Sequence, residues 1–180
     1  GTKAVLGTNP IAMSVPDGKG GLAMQFDQST SAIAIGKINM AATAGEQIPL
    51  GWGVDSEGQA TQDPNAVLQG GSLVSSGGYK GYGFGLMAEI LAAAFTGGST
   101  STQLEPLKAT AGQPHDLGQC YIIIDPTNVS GDLFWDKLSA ISGAVTSQPG
   151  ARLPGSQKVL PETVELDADV WQSVLKLANH

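Results

Sequence analysis

At 180 residues the chain is long enough for one domain with its own core, or for a large part of a bigger one. Hydrophobic residues make up 41%, and no apolar run reaches the ~20 residues of a membrane span. The chain opens Gly1-Thr2-Lys3, with neither a start methionine nor a basic-then-apolar leader, which argues against a membrane-spanning or newly secreted protein. Charged residues are only 14%, where ordinary soluble domains carry about 25%, and 25 residues are Gly. Two readings follow: a weakly charged, Gly-rich domain, or a segment covered in life by more of its own chain or by a partner. The absent start methionine favours the second. Nine Lys plus Arg against 16 Asp plus Glu give a net charge of −7, with no basic residue between Lys37 and Lys80. This argues against a binder of duplex nucleic acid but does not exclude a binder of a small anion, which needs only one or two cations and a few N–H groups.

In chain order, residues 11–15 and 22–26 read as strands joined across Pro16-Asp17-Gly18-Lys19-Gly20-Gly21, a hairpin. Ser29, Thr30 or Ser31 can cap a helix that carries Ile33, Lys37, Ile38, Ala41 and Ala42 to about Ala44. Residues 45–79 show no period and are rich in Gly, Pro, Asp and Ser, and so read as a long functional loop. A helix over residues 82–95 has Phe84, Leu86, Met87, Ile90, Leu91, Ala94 and Phe95 nearly all the way round, with Glu89 its one charge. That pattern predicts burial on most sides. After a loop at 97–118, residues 119–125 read as a fully buried strand with Cys120 inside it, a lone thiol suited to a reducing, cytoplasmic compartment. A helix capped by Ser130 or Asp132 follows, with Leu138, Ile141 and Val145 on its face. A tight turn at 151–156, a short strand at 164–166 and a last helix at 168–178 complete the chain. The alternation of strand and helix predicts an α/β or α+β layer architecture.

The stretch most suggestive of chemistry is Ser75-Ser76-Gly77-Gly78-Tyr79-Lys80-Gly81-Tyr82-Gly83-Phe84-Gly85. Its glycines can turn N–H groups toward one point, the following helix adds its positive dipole end, and Lys80 sits where the two meet, which is how a phosphate is held. Set against this, the glycines can serve only close helix packing, with Lys80 on the surface. Neither a GxGxxG fingerprint nor a Walker loop is present, because Leu86, Ala88 and Gly81 stand where those motifs need other residues. Thr8 and Asn9 can hold a carboxylate or close an Asx or ST turn. Asp27-Gln28-Ser29 lies where a strand feeds a helix, a usual ligand position, with a helix cap as the plain alternative. His115-Asp116 has no nucleophile beside it, and two His with one Cys make no zinc site. Ser75 and Ser76 lack a Gly-x-Ser-x-Gly elbow, which counts against a hydrolase. Trp52, Trp135 and Trp171 read as core or interface anchors.

Taken in order, several blocks resemble the type-two malate/L-lactate dehydrogenase family. They are Leu6-Gly7-Thr8-Asn9-Pro10-Ile11-Ala12, Phe26-Asp27 with Thr30-Ser31 and Gly36-Lys37-Ile38, Ile48-Pro49-x-Gly51-Trp52, Asp55-x-x-Gly58, Thr61-x-Asp63-Pro64, Gly77-Gly78-x-Lys80-Gly81-Tyr82-Gly83 and Arg152-Leu153-Pro154-Gly155. The resemblance implies a mixed α/β fold, with a largely antiparallel sheet, flanking helices and no Rossmann domain. Its implied activity is NAD(P)-dependent hydride transfer between cofactor and a small 2-hydroxy or 2-oxo acid of malate, lactate, sulfolactate or ureidoglycolate type. It also implies that Asp27, Gln28 and Ser29 contact NAD or NADP, that Lys80 meets its phosphate or ribose region, that the turn Arg152, Pro154, Gly155, Ser156 closes over it, and that Thr8 faces the substrate. Gln28, Tyr79 and Ser156 depart from the residues the family usually has there.

The family's catalytic His and substrate-binding Arg belong to a region before these residues, so the chain alone is expected to be inactive. Residues 1–155 are then the cofactor-binding unit, and residues 156–180 a strand and helix packing back on that earlier region. A homodimer, with no nucleic acid, membrane or metal, is the expected setting. A non-catalytic binding or assembly module that keeps the fold is the alternative. No Arg or Lys neighbours Asp27 in the chain, so sequence leaves NAD against NADP open. The low charge adds one further expectation: the 82–95 helix and the first strands should present open apolar faces in the chain by itself.

Overall fold

The computed structural model describes residues 2–104, 114–156 and 161–178. They form a mixed α/β arrangement of two small antiparallel sheets and five α-helices among the described residues. Strands β1 (Ile11–Pro16) and β2 (Leu22–Gln28) pair as the expected hairpin, with Ala12 opposite Asp27 and Ser14 opposite Gln25. Its connection is fixed by Asp17, whose carboxylate accepts from the backbone N–H of Lys19 (2.7 Å) and of Gly21 (2.8 Å). Those two N–H groups hold the Asp17 carboxyl below its ordinary pKa.

Helix α1 (Ile35–Ala44) starts later than the cap signals predict, and its N-cap, Ala34, gives no side-chain bond. The three candidate caps are occupied elsewhere. The Ser29 hydroxyl donates to the Ser31 carbonyl (3.3 Å), the Thr30 hydroxyl to the Thr8 carbonyl (3.1 Å) and the Ser31 hydroxyl to the Ile33 carbonyl (2.8 Å). Ser31 is bridged antiparallel to Ser75. Helix α1 ends at Gly45, whose φ of 69° lets its N–H and that of Glu46 turn back on Ala42 and Ala41.

The stretch read as a structureless loop contains β3 (Gly53–Val54), α2 (Pro64–Leu68) and β4 (Ser72–Leu73), with β3 antiparallel to β4. These pieces are too short to show a period. The N-terminus of α2 is nevertheless built from sequence chemistry: Asp63 caps it by accepting from Asn65 N–H (2.8 Å), and Pro64 needs no donor of its own. Ile38, Ile48 and Val67 form the core, with Ile33, Ala41, Trp52 and Leu73 packed on it.

Helix α3 (Tyr79–Glu89) begins three residues earlier than predicted and runs into a π-helical turn, Ile90–Ala94. Glycines in its first two turns lower helix propensity and hide the true start. Contrary to the burial expected on most sides, Phe84, Met87, Ile90 and Phe95 are exposed, as are Met13 and Leu22 of the hairpin. The open apolar faces suggested by the low charge are therefore present.

Residues 119–125 are neither a strand nor buried: Ile123 is 95% exposed, Tyr121, Ile122 and Ile124 are exposed, and so is Cys120. The sequence has the composition of an interior strand, but no described segment pairs with it. The same holds for residues 164–166, which are not a strand. Helix α4 (Leu133–Thr146) forms as expected, but neither Ser130 nor Asp132 caps it with a side chain; the Ser130, Gly131 and Asp132 carbonyls accept from its first N–H groups instead. Trp135 of α4 lies against Gly18 of the hairpin, where a Cβ would meet its ring at 3.1 Å. Trp171 is about half exposed on α5 (Ala168–Ala178), which spans the predicted residues. Among the described residues no helix is long and apolar enough to cross a membrane, and no group of three His, Cys, Asp or Glu could hold a metal.

Candidate functional site

Two segments far apart in sequence meet at one cleft. The edge of β2 away from β1 receives the turn at 152–156: Gln25 N–H donates to the Pro154 carbonyl at 3.0 Å. Gly155 has φ 81°, and a Cβ there would lie 2.7 Å from the Gln25 carbonyl oxygen, so both conformation and space require glycine. Ser156 closes the turn by donating its N–H (3.2 Å) and its hydroxyl (2.8 Å) to the Leu153 carbonyl. The cleft between turn and strand measures about 510 Å³ and is lined by Gln25, Phe26, Asp27, Arg152, Leu153, Pro154 and Gly155. That is within the size range of small-ligand sites. Arg152 therefore shares a cleft with Asp27, a cation that adjacency in the chain could not reveal.

Of the predicted site residues, Asp27, Arg152, Pro154 and Gly155 line this cleft; Thr8, Gln28, Ser29, Lys80 and Ser156 do not. Gln28 ends β2 and is exposed. The Ser29 hydroxyl is half-buried and donates to the Ser31 carbonyl (3.3 Å). Thr8 is half-buried, and its carbonyl accepts from both the N–H (2.8 Å) and the hydroxyl (3.1 Å) of Thr30.

Lys80 is exposed in the first turn of α3. Gly77 and Gly78 precede that turn with φ 68° and 65°. Gly81 and Gly85 serve close packing: a Cβ at Gly81 would run into the Ser76 carbonyl, and one at Gly85 would lie 3.0 Å from Thr30 Oγ1. Residues 30–32 and 74–76 are joined by the Ala32 to Val74 and Ser76 to Thr30 hydrogen bonds. The exit of β2 and the glycine-rich start of α3 are thus held side by side.

Sequence reasoning missed Gln25 and Phe26, while Leu153 lies inside the turn expected to close over the cofactor. Gln25 was findable, because it shares a strand face with Asp27. It also missed the cluster around Glu89, although a single charge in an otherwise apolar helix was the signal. That carboxylate is half-buried and accepts from Ser101 and Asn9. Burial raises its pKa, but the Ser101 hydroxyl, the Ser101 N–H and the Asn9 amide outweigh this and hold it below its ordinary value. His115 and Asp116 are exposed, with no hydrogen bond to each other.

The sequence matches the malate/L-lactate dehydrogenase family over residues 1–173. A Delta(1)-pyrroline-2-carboxylate/Delta(1)-piperideine-2-carboxylate reductase of Pseudomonas syringae pv. tomato is 40% identical over 156 residues, 87% of this chain and 45% of that protein. A (2R)-3-sulfolactate dehydrogenase (NADP(+)) of Chromohalobacter salexigens is 37% identical over 158 residues, 88% of this chain and 46% of that protein. The chain spans about half the length of these relatives. The sulfolactate dehydrogenase of Methanocaldococcus jannaschii superposes with a TM-score of 0.79 at 29% identity, covering 99% of this chain and 54% of that one. With a family match across nearly its whole length, and a fold shared with solved members, the chain belongs to the malate/L-lactate dehydrogenase family.

Proposed function

We propose that this chain is the cofactor-holding part of an NAD(P)-dependent oxidoreductase acting on a small 2-hydroxy or 2-oxo acid, of malate, lactate, sulfolactate or ureidoglycolate type, or on the related cyclic imino acid. The observation that carries this is the cleft lined by Asp27 together with Arg152, Pro154 and Gly155. Its donor set suits a ribose phosphate: a carboxylate accepts from hydroxyls, and a guanidinium neutralises phosphate oxygens. Bound there, a nicotinamide cofactor would supply or accept the hydride.

The protein's own contribution is positional. Asp27 and Arg152 hold the ribose and phosphate region, while Gln28, Ser29 and Ser156 border it. Lys80, at the positive end of α3, adds charge toward a phosphate. Thr8 faces the substrate carboxylate. The relatives named above are a reductase of cyclic 2-carboxylates and a dehydrogenase of 3-sulfolactate, both small carboxylic acids, which suits one hydroxyl-bearing turn serving either an oxo or an imino acid. The antiparallel pairing of both sheets supports a non-Rossmann cofactor fold. Residues 1–155 form the cofactor unit in this reading, and the open apolar face of α3 suits a homodimer. His115 lies in an exposed loop, so no proton acceptor is assigned within the described residues.

Titrating the 180-residue chain with NADH and NADPH tests the reading. Saturable binding of at least one, without turnover of malate, lactate, sulfolactate or pyrroline-2-carboxylate, is expected. No binding of either favours the assembly-module alternative, which the exposed apolar residues would also suit. Robust turnover contradicts the assignment of catalysis to groups outside these residues.

A further inference from the structure

The Glu89 carboxylate sits at the centre of a long-range hydrogen-bond ring. Its Oε1 accepts from Ser101 N–H (2.6 Å), and its Oε2 accepts from the Ser101 hydroxyl (2.6 Å) and from Asn9 Nδ2 (2.8 Å). The same Asn9 nitrogen donates to the Gly85 carbonyl (3.0 Å), one turn earlier on α3. Asn9 has φ 37°, the only positive value at a non-glycine among the described residues. Such a conformation persists where its surroundings hold it. Next to it, the Thr8 carbonyl accepts twice from Thr30, and the Thr30 carbonyl accepts from Ser76 N–H (2.9 Å), just before the glycines that start α3. From Ser76 the chain runs through α3 back to Glu89.

We infer that Glu89 is a positioning residue: through Asn9 and Thr30 it holds the Thr8 turn, the exit of β2 and the glycine-rich start of α3 in one arrangement. A carboxylate is specifically required. In Glu89→Gln the side-chain NH₂ must face either the Ser101 N–H or Asn9 Nδ2, both donors. Turning the Asn9 amide over to receive it gives up the bond to the Gly85 carbonyl. Every arrangement leaves a polar group unmatched. The effect on cofactor binding rests on the function proposed above; the effect on the ring does not.

The test is Glu89→Gln in the 180-residue chain, read in two ways. Amide hydrogen exchange at Thr30 and Ser76, which Glu89 does not touch, should rise by about tenfold, roughly the effect of one unmatched donor. Glu57 and Gln59, held by the separate Asp55 turn, should keep their rates. The dissociation constant for NADH or NADPH should rise by a similar factor. Change confined to Ser101 and Asn9 overturns the inference, and so does unchanged affinity in a chain whose wild type binds cofactor.

If the wild type binds neither cofactor, the proposed function fails while the exchange measurement still decides the inference. Asn9→Gly tolerates the positive φ and removes only the amide, so it should reproduce Glu89→Gln, and the double variant should add nothing. Additive effects overturn the inference, and Asn9→Gly carries the test if Glu89→Gln does not fold.

Discussion

Residues 30–75 and residues 114–178 are comparably rich in apolar side chains, but only the first set closes on itself. Ile38 from α1, Ile48 from the following loop and Val67 from α2 meet within a short length of chain and exclude water. Among the described residues beyond 113 nothing is buried: α4 and α5 have no buried residue, and Ile122, Ile123 and Ile124 lie open. An apolar pattern states how much burial a segment needs, and topology decides whether the segment finds it.

The widest gap between the two regions should appear in core truncation. Ile38→Ala should lower unfolding free energy by about 2–5 kcal/mol, because Ile38 is 0% exposed and its cavity cannot fully collapse. Ile123→Ala should stay within about 0.5 kcal/mol, as at other surface sites. Urea denaturation of both variants checks this, and an equal loss at Ile123 breaks the comparison.

A pair of helix glycines sharpens it. Gly81→Ala pushes a Cβ into the Ser76 backbone and should cost about 1–3 kcal/mol, as overpacking does. At Gly83 nothing lies within 4 Å, so Gly83→Ala should stabilise by up to about 1 kcal/mol through helix propensity. Melting temperatures that move in opposite directions are the expected result.

These glycines also show where sequence reading stopped. The β1–β2 hairpin, α4, α5 and the turn at 151–156 were legible because strand alternation, helical period and Pro-Gly chemistry are local. The start of α3 was not, because Gly81 and Gly85 answer to Ser76 and Thr30, contacts that no period encodes. The caps proposed at Ser29, Thr30 and Ser31 failed for a related reason: the distant Thr8 carbonyl claims Thr30, and the Ser31 and Ile33 carbonyls claim the hydroxyls of Ser29 and Ser31. Of the site, Asp27, Arg152, Pro154 and Gly155 converge, whereas the presence of a cation in the cleft that Asp27 lines waited on the fold.

The smallest expected effect is on pH dependence. The Glu89 carboxyl is held below its ordinary value of 4.5, so the folded state binds fewer protons there than the unfolded one. Its contribution to stability is complete above that value and is lost as pH falls through the lowered one. The stability gap between wild type and Glu89→Gln should therefore be widest near about pH 7 and narrow by about pH 3. Urea midpoints at the two pH values measure it, and a constant gap removes the carboxylate from the account.

The central claim is that the cleft between β2 and the turn at 152–156 holds a nicotinamide cofactor. Fluorescence titration of NADH and NADPH into the wild type, Asp27→Asn and Arg152→Ala tests it most directly. Saturable binding to the wild type, weakened by about tenfold or more in each variant, is predicted on the scale of one lost charge-assisted hydrogen bond. Wild-type affinity in both variants would contradict the claim.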